Sequence, residues 1–576
     1  MSKSEDASAA AVTVRRRPCA LDPDELHGVP PLLARLYASR GIRTSADAGL
    51  ELRDMLPVSS LAGSAAAVEL LLAHRAAGSH VLVVGDFDAD GATSSALVVR
   101  ALRALGFAGV DFLVPNRFEF GYGLSEPLVA VAAASDPGLI ITVDNGISSV
   151  DGVTAARAAG IDVLITDHHL PPVRLPEASA IVNPNLENET FSSKNLAGVG
   201  VAFYLMAALA SRLLEPGPAR QLIAGLLDLV ALGTVADVVP LDRNNRILVE
   251  HGLRRIRSGH GCPGIRALLL DAGRNPTSCV ASDLGFVAGP RLNAAGRLDD
   301  MSIGIRCLLS ASESEARSLA ATLSSLNEER RSIEDQMQQQ ALEAVANIVI
   351  DGDLPVAFSL FDESWHQGVV GLVAGRIKER YHRPVVAFAV DGEERLKGSA
   401  RSIPGLHIRD VLAEVDSANP GLIERFGGHA MAAGLSLPRA SLQVFSAAFA
   451  SAAARHLTPS DLEREILSDG ELADHQLDLQ TAEMLRAGGP WGQGFPEPLF
   501  DNVFEVADRR VLRDRHLKLR VRLPGGVREI DALAFNQLQT APSPIPDLVR
   551  LVYRLDVNEF RGLRSPQLVV EQISAA

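Results

Sequence analysis

From Val81 to Thr166 the chain alternates short apolar runs with helical stretches, and this alternation constrains the fold more than any other feature. The runs are Val81–Val84, Val110–Val114, Leu139–Val143 and Ile161–Ile165, with Ala92–Leu105 and Val150–Ala159 reading as helices. Strand and helix alternating at this spacing build βαβ units and a parallel sheet. Helices around Val201–Leu214 and Arg220–Leu232 extend the unit. Open α/β sheets bind ligands in the crevice beyond the carboxyl ends of their strands, so the residues that follow each run are where chemistry is sought.

Those residues are acidic. GDFDADG (Gly85–Gly91) follows the first run directly and sets Asp86, Asp88 and Asp90 at alternate positions. Carboxylates this crowded repel one another unless cations sit between them, and oxygen-rich sites suit Mg²⁺ or Mn²⁺. A polar turn with aspartates capping the next helix is the competing reading. An EF-hand fits poorly, because Leu97 stands where that loop needs Glu. Asp144 follows the third run in VDNG, and Asp167, His168 and His169 follow the fourth in TDHH. Asp237, in ALGTVADVVPL, sits in an apolar run where an unpaired carboxylate is costly; a cap or turn is its alternative. Asp88, Asp90, Asp144, His168 and Asp237 could together hold two divalent ions, which activate water and stabilise both oxygens of a phosphoryl displacement. Asp144 could bridge both ions. The mixed oxygen and nitrogen ligands lean towards Mn²⁺ over Mg²⁺. His169 is then left to act on the leaving oxygen or the phosphate. No G-x-S-x-G elbow or P-loop occurs, which removes support for serine-nucleophile chemistry and P-loop ATP hydrolysis.

With 576 residues the chain has room for three domains and a connector. Gly and Pro are missing between Gly304 and Gly352, predicting a long helix or helical pair that serves as a spacer or as one domain's core helix. Residues 354–455 read as a second α/β unit, and the segments beyond 456 as short strands of a small β-barrel or sandwich. The N-terminus lacks the apolar core of a secretory signal, and Arg15, Arg16 and Arg17 read as a solvated tail, with phosphate contact as the alternative. No run of about 18 apolar residues marks a membrane span. The cysteines, Cys19, Cys262, Cys279 and Cys307, form no C-x-x-C pair, which fits a reducing cytoplasm.

A net formal charge of −15 excludes global attraction to nucleic acid, so any such site is a local basic patch. His516, Lys518, Arg520 and Arg522 alternate with Leu517, Leu519 and Val521, and Arg509, Arg510, Arg513 and Arg515 precede them. A basic strand face suits a single-stranded backbone; an edge strand protected by charge is the alternative. Phosphate donors are offered by Arg117 in PNRFEFGYG, by Arg291, Asn293 and Arg297 in GPRLNAAGR, and by Ser399 and Arg401 in GSARS. Any one arginine could instead form a surface ion pair. His429 lies among Gly427, Gly428 and Gly434, which would admit close backbone approach, or it is a structural histidine.

GDFDADG, VDNG, TDHH and GTVADVVPL, in this order, resemble the four motifs of the DHH phosphoesterase superfamily. GPRLNAAGRLD (Gly289–Asp299), GSARSIPGLHI (Gly398–Ile408) and FGGHAMAAGL (Phe426–Leu435) narrow the resemblance to its bacterial single-strand-specific 5′→3′ exonucleases. The resemblance runs from about Leu32 to near the C-terminus. It implies an N-terminal segment at 1–60, a parallel-sheet DHH domain at 61–300, a connecting helix at 301–350, an α/β DHHA1 domain at 351–455 and an all-β OB-fold at 456–576. It carries metal ligation onto Asp88, Asp90, Asp144, His168 and Asp237 and phosphate binding onto Ser399 and Arg401, leaving open whether Asp86 ligates or supports. It implies two ions, Mn²⁺ or Mg²⁺, and release of 5′-mononucleotides from single-stranded DNA in recombination and mismatch repair. A single-strand-binding protein and a repair helicase are the implied partners of a cytoplasmic monomer. One departure is Gln367 in WHQGVVGLVAGR, where relatives often carry Pro, which bears on that loop's geometry. Other enzymes of the superfamily, acting on oligoribonucleotides, cyclic dinucleotides or pyrophosphate, would not need the chain beyond about 455. A catalytically dead replisome adaptor would be free to lose metal ligands that are all present here.

Overall fold

The computed structural model describes residues 12–116, 120–121, 123–348, 354–538 and 541–576. Arg117 lies outside the described residues. The four apolar runs form strands Gly109–Leu113, His80–Gly85, Leu139–Val143 and Asp162–Thr166, joined at one edge by Ala180–Val182. All pair in parallel, in that spatial order. Period-two alternation divides each strand between two buried layers. Val81, Val83 and Ile141 pack with helices Ser64–Ala77, Ala89–Ala104 and Gly198–Leu213, while Leu82, Val84 and Ile140 pack with Glu126–Ala133 and Val150–Ala158. His80–Gly85 lies between the strands that follow it in sequence, so the chain order switches direction there and opens a crevice at its carboxyl end.

The stretch Pro216–Ala236 is long and apolar enough to cross a membrane by length and composition, although the sequence shows no unbroken apolar run. Leu227–Thr234 within it are all buried, packing against the helices of the sheet unit.

The connecting helix is Glu313–Ile348, 36 residues long. Ala316, Ala320 and Leu323 belong to the core of the parallel-sheet unit, while Met337, Ala341 and Val345 belong to that of the second unit. It is therefore both spacer and core helix. The second unit is a five-stranded mixed sheet in the order Arg425–Gly428, Ala432–Pro438, Arg395–Arg401, Val385–Val390 and Phe358–Phe361. Gln367 ties the loop before its first helix to this sheet, donating from Nε2 to the Val390 carbonyl at 2.7 Å. The C-terminal strands close into a five-stranded barrel, Phe500–Leu512, His516–Arg522, Ile530–Ala534, Leu563–Ala575 and Leu548–Phe560 in spatial order.

The N-terminal arginines are not a solvated tail. Val12–Arg16 forms a strand parallel to Arg464–Ser468. Arg15 pairs with Glu465 at 3.3 Å, Arg16 with Glu471 at 3.3 Å and Asp501 at 3.2 Å, and Arg17 with Asp469 at 3.1 Å. Charges that look unpaired in sequence find their partners some 450 positions away. The same segment joins two cores: Leu32, Leu33 and Leu36 pack into the barrel, Ala34 and Ala38 into the parallel-sheet unit.

Candidate metal centre

Gly85, Val143 and Thr166 are neighbours in register at the ends of three adjacent strands. The next residue of each strand, Asp86, Asp144 and Asp167, therefore emerges at one level in the crevice. Asp144 turns there with a left-handed φ of 61°, a conformation that Asp tolerates better than most residues. Asp88 caps helix Ala89–Ala104, accepting from the Gly91 N–H at 3.0 Å. Asp90, in the first turn, accepts from Gly198 N at 2.6 Å and Val199 N at 2.9 Å, fastening two helix N-termini together. Asp237 ends helix Leu227–Ala236.

Possible ligand atoms converge in three overlapping groups, each within 4.8 Å: Asp86, Asp88 and Asp144; Asp90, His168 and Asp237; Asp144, His168 and His169. His168 Nε2 lies 3.1 Å from Asp144 Oδ1 and 3.5 Å from Asp237 Oδ2. His168 Nε2 and Asp237 Oδ2 are buried and make no hydrogen bond among the described residues. Burial, then the neighbouring carboxylates, raises Asp144 and Asp237 well above the ordinary range, and burial with the charge of Asp88 pushes Asp90 up to about 7. Burial and the neighbouring His169 hold His168 down to about 4, which keeps it neutral and able to ligate. Clustered carboxylates under mutual repulsion, beside a neutral imidazole with an unsatisfied nitrogen, fit divalent cations.

His169 differs from its neighbour. Its Nδ1 contacts Asp167 Oδ1 at 2.8 Å, and although burial opposes its charge, that hydrogen bond and charge raise it to about 8. Asp167 also accepts from the N–H groups of His168 at 2.7 Å, His169 at 3.0 Å and Ile147 at 2.9 Å. It orients the pair. Asn183 and Asn185 hold the pair from behind, donating to the carbonyls of His169 at 2.9 Å and His168 at 2.6 Å. Sequence reasoning missed both asparagines; their only signal was NPN shortly after TDHH.

It also missed the glycines that let helices touch the centre. A Cβ on Gly198 would fall 2.6 Å from that of Asp144, one on Gly233 2.8 Å from Asp90 Oδ1, and one on Gly296 1.8 Å from the Phe87 carbonyl oxygen. Gly296 lies in helix Gly289–Leu298, which carries Arg291, Asn293 and Arg297. Asn293 accepts from Ala89 N at 2.7 Å and so braces the acidic loop. Arg291 donates to Ser324 Oγ and the Val287 carbonyl, both at 2.9 Å, anchoring the helix to its neighbours. Arg297 donates to the Gly368 carbonyl at 2.9 Å, joining the second unit.

Two substrate candidates come from that second unit. The His429 ring lies 6.3 Å from that of His169, which brings His429 to the centre. Ser399 and Arg401 flank the N-terminal turn of helix Val370–Tyr381, where a Cβ on Gly371 would meet Arg401 Nη2 at 2.7 Å and Ser399 Oγ at 3.4 Å. Burial lowers the Arg401 guanidinium, whose Nη1 donates to the Ala400 carbonyl at 2.8 Å.

The basic stripe lies on strand His516–Arg522, which has a neighbour on each side and is not an edge strand. Its charges are compensated: Lys518 pairs with Asp531 at 2.8 Å, Arg520 lies 3.8 Å from Asp531 and 3.9 Å from Glu529, and Arg522 pairs with Glu505 at 2.8 Å. Arg513, at the hairpin turn, and Arg515 have no ion pair among the described residues.

Comparison with known proteins agrees with this architecture. The DHH family N-terminal domain matches residues 80–234, the DHHA1 domain 353–455 and the RecJ OB domain 468–572. The chain is 54% identical to the single-stranded-DNA-specific exonuclease RecJ of Dickeya dadantii over 97% of this chain and 98% of that protein. It is 52% identical to that of Escherichia coli, covering 98% and 99%. The Thermus thermophilus RecJ structure in complex with Mn²⁺ aligns with a TM-score of 0.80 at 32% identity, over 98% of this chain and 80% of that one.

Proposed function

The chain belongs to the RecJ family of single-stranded-DNA-specific exonucleases, and from that premise we propose that it hydrolyses single-stranded DNA from the 5′ end, releasing 5′-mononucleotides. The observation that carries the reading is the convergence of Asp86, Asp88, Asp90, Asp144, His168 and Asp237 at the strand ends. Asp86, Asp88 and Asp144 would seat one ion, and Asp90, His168 and Asp237 a second, with Asp144 beside both. The Thermus relative is seen with Mn²⁺ and with Mg²⁺, and the mixed oxygen and nitrogen ligand set favours Mn²⁺ here. Such a pair, when bound, supplies an activated water and stabilises the attacking and leaving oxygens.

The remaining steps belong to the chain's own groups. Asp167 commits Nδ1 of His169, so Nε2 is the atom that hands a proton to the leaving oxygen or steadies the phosphate. Against burial, the hydrogen bond and charge of Asp167 raise His169 and so favour its proton-carrying form. Ser399, Arg401 and the nearby helix N-terminus receive the terminal 5′-phosphate, since a planar guanidinium fork and backbone N–H groups suit a dianion. His429 and Arg297 line the strand's path between the units. Arg117 is the next phosphate donor, Arg291 and Asn293 support the helix beneath, and Arg513 and Arg515, without ion pairs among the described residues, guide the strand across the barrel, where Lys518, Arg520 and Arg522 exchange carboxylate partners for phosphate. We place the domain boundaries near 60, 300, 350 and 455. Action as a cytoplasmic monomer in recombination and repair, with a single-strand-binding protein and a helicase, completes the proposal.

The test is hydrolysis of matched single- and double-stranded oligonucleotides with Mn²⁺, with Mg²⁺ and with chelator. Metal-dependent loss of the single strand alone supports the reading. Equal cleavage of both, or cleavage in chelator, refutes it.

A further inference from the structure

A cavity of about 440 Å³ opens where the N-terminal segment, the chain just past Asp237 and the loop before the barrel meet; Arg43, Asp47, Leu241, Arg243, Arg246 and Phe495 line it. Its aromatic wall is Phe495, which stacks on Trp491 with centroids 5.1 Å apart and planes at 9°. An arginine lies over each ring, Arg40 at 5.4 Å from Trp491 and Arg246 at 4.3 Å from Phe495.

The two arginines differ in what neutralises them. Arg40 forks onto Asp469 with bonds of 2.9 and 2.7 Å. Arg246 is 4% exposed, and its side chain has neither hydrogen bond nor ion pair among the described residues; its Nε is buried without an acceptor. The nearby carboxylates are engaged elsewhere. Asp47 accepts from Thr44, and Asp242 caps helix Arg243–Arg257 while accepting from Ser193 and Asn195. Arg243 is held by Asp54 and the Ala46 carbonyl, both at 3.0 Å. Arg43, exposed at the mouth, has no ion pair among the described residues. A buried guanidinium facing a cavity without an acceptor is costly unless an anion completes it.

We propose that this cavity binds the phosphoryl group of a small phosphorylated ligand, held by Arg246 at the wall and Arg43 at the mouth. Guanidinium forks match phosphoryl oxygens in number and plane. The volume suits a small molecule such as a mononucleotide. Free phosphate presents the same oxygens. The site does not depend on the nuclease reading, although Pro240 and Leu241, which also line it, stand close after Asp237.

Thermal unfolding of the full chain, in chelator so that the acidic centre gathers no phosphate through metal, tests this with inorganic phosphate and dAMP as probes. In an Arg401→Ala background, which removes the terminal-phosphate pocket of the second unit, the midpoint should still rise with ligand by mass action, and the remaining variants are made in that background. Arg43→Ala, at an exposed position, should need about tenfold more ligand, the loss of one charged hydrogen bond. Arg246→Met, which keeps an apolar stem against Phe495, should lose the rise. A lower working concentration for dAMP than for phosphate identifies a mononucleotide, and equal concentrations identify free phosphate; both support the site. No rise in the Arg401→Ala background, or the same rise there once Arg43→Ala is added, overturns it.

Discussion

Gly198→Ala adds one methyl group where helix Gly198–Leu213 meets the acidic centre. The new Cβ would stand 2.6 Å from Asp144 Cβ, 2.7 Å from its Oδ1 and 2.8 Å from its Cα. Carbon atoms settle at about 3.5 Å or more, so the helix start and Asp144 must separate by roughly 0.7–0.9 Å. The helix cannot yield freely, because Gly198 N and Val199 N hold Asp90 at 2.6 and 2.9 Å. Either Asp144 moves off its position or Asp90 loses its anchors. Overpacking of this kind costs about 1–3 kcal/mol of stability, and a misplacement approaching 1 Å costs on the order of a hundredfold in rate. The assay is the initial rate of nucleotide release from a single-stranded oligonucleotide with Mn²⁺, paired with urea unfolding. Gly217→Ala is the control: its Cβ would meet nothing within 4 Å, and its rate should stay at wild type. A folded Gly198→Ala protein with the wild-type rate would refute the claim that this close approach sets Asp144.

Arg401→Ala should cost about 1.5–3 kcal/mol, or roughly tenfold to a hundredfold in rate or affinity, and more on 5′-phosphorylated than on 5′-hydroxyl strands; equal losses on the two in a kinetic comparison would move end recognition elsewhere. Asp469→Ala strands Arg40 in a pair whose side chains are each 1% exposed, so denaturant unfolding should show a loss of about 3–5 kcal/mol, and an unchanged midpoint would contradict the bridging role of the N-terminal segment. Because Asp90 is raised to about 7, the metal-free folded protein keeps a proton that the unfolded chain releases near its ordinary value; that stability is present at low pH and is lost as pH rises through about 7, at up to ~1.4 kcal/mol per pH unit. Calorimetry should therefore show the advantage of Mn²⁺-loaded over chelated protein widening from about pH 5 to 7.5, and a constant gap would argue against an ionised, repelling cluster.

The parallel sheet and its acidic edge were legible because they are written in local patterns: apolar runs of strand length, each followed by a residue fit to ligate. Ala180–Val182 escaped notice because three residues carry no periodicity. The close packing at Gly198, Gly233 and Gly296 was out of reach, since a glycine in sequence does not say which backbone it touches. Long-range pairing was equally hidden. Arg15, Arg16 and Arg17 read as a tail because their acidic partners lie past residue 464. The stripe at Lys518, Arg520 and Arg522 read as bare positive charge because its partners are remote in sequence: Glu505 and Asp531 face it from neighbouring strands and Glu529 from the residue before one of them. Truncation near 456, which looked from sequence like the removal of a separate domain, would also expose Leu32, Leu33 and Leu36.

Titration of the chelated, refolding-competent protein with Mn²⁺ by calorimetry, in wild type and in Asp144→Ala, with turnover measured on the same samples, bears most directly on the proposed ion pair. Two ions should bind per wild-type chain, and fewer should bind, with turnover abolished, in a folded Asp144→Ala protein that still binds single-stranded DNA. A single ion in wild type, or near-wild-type turnover in the variant, would contradict the proposed pair.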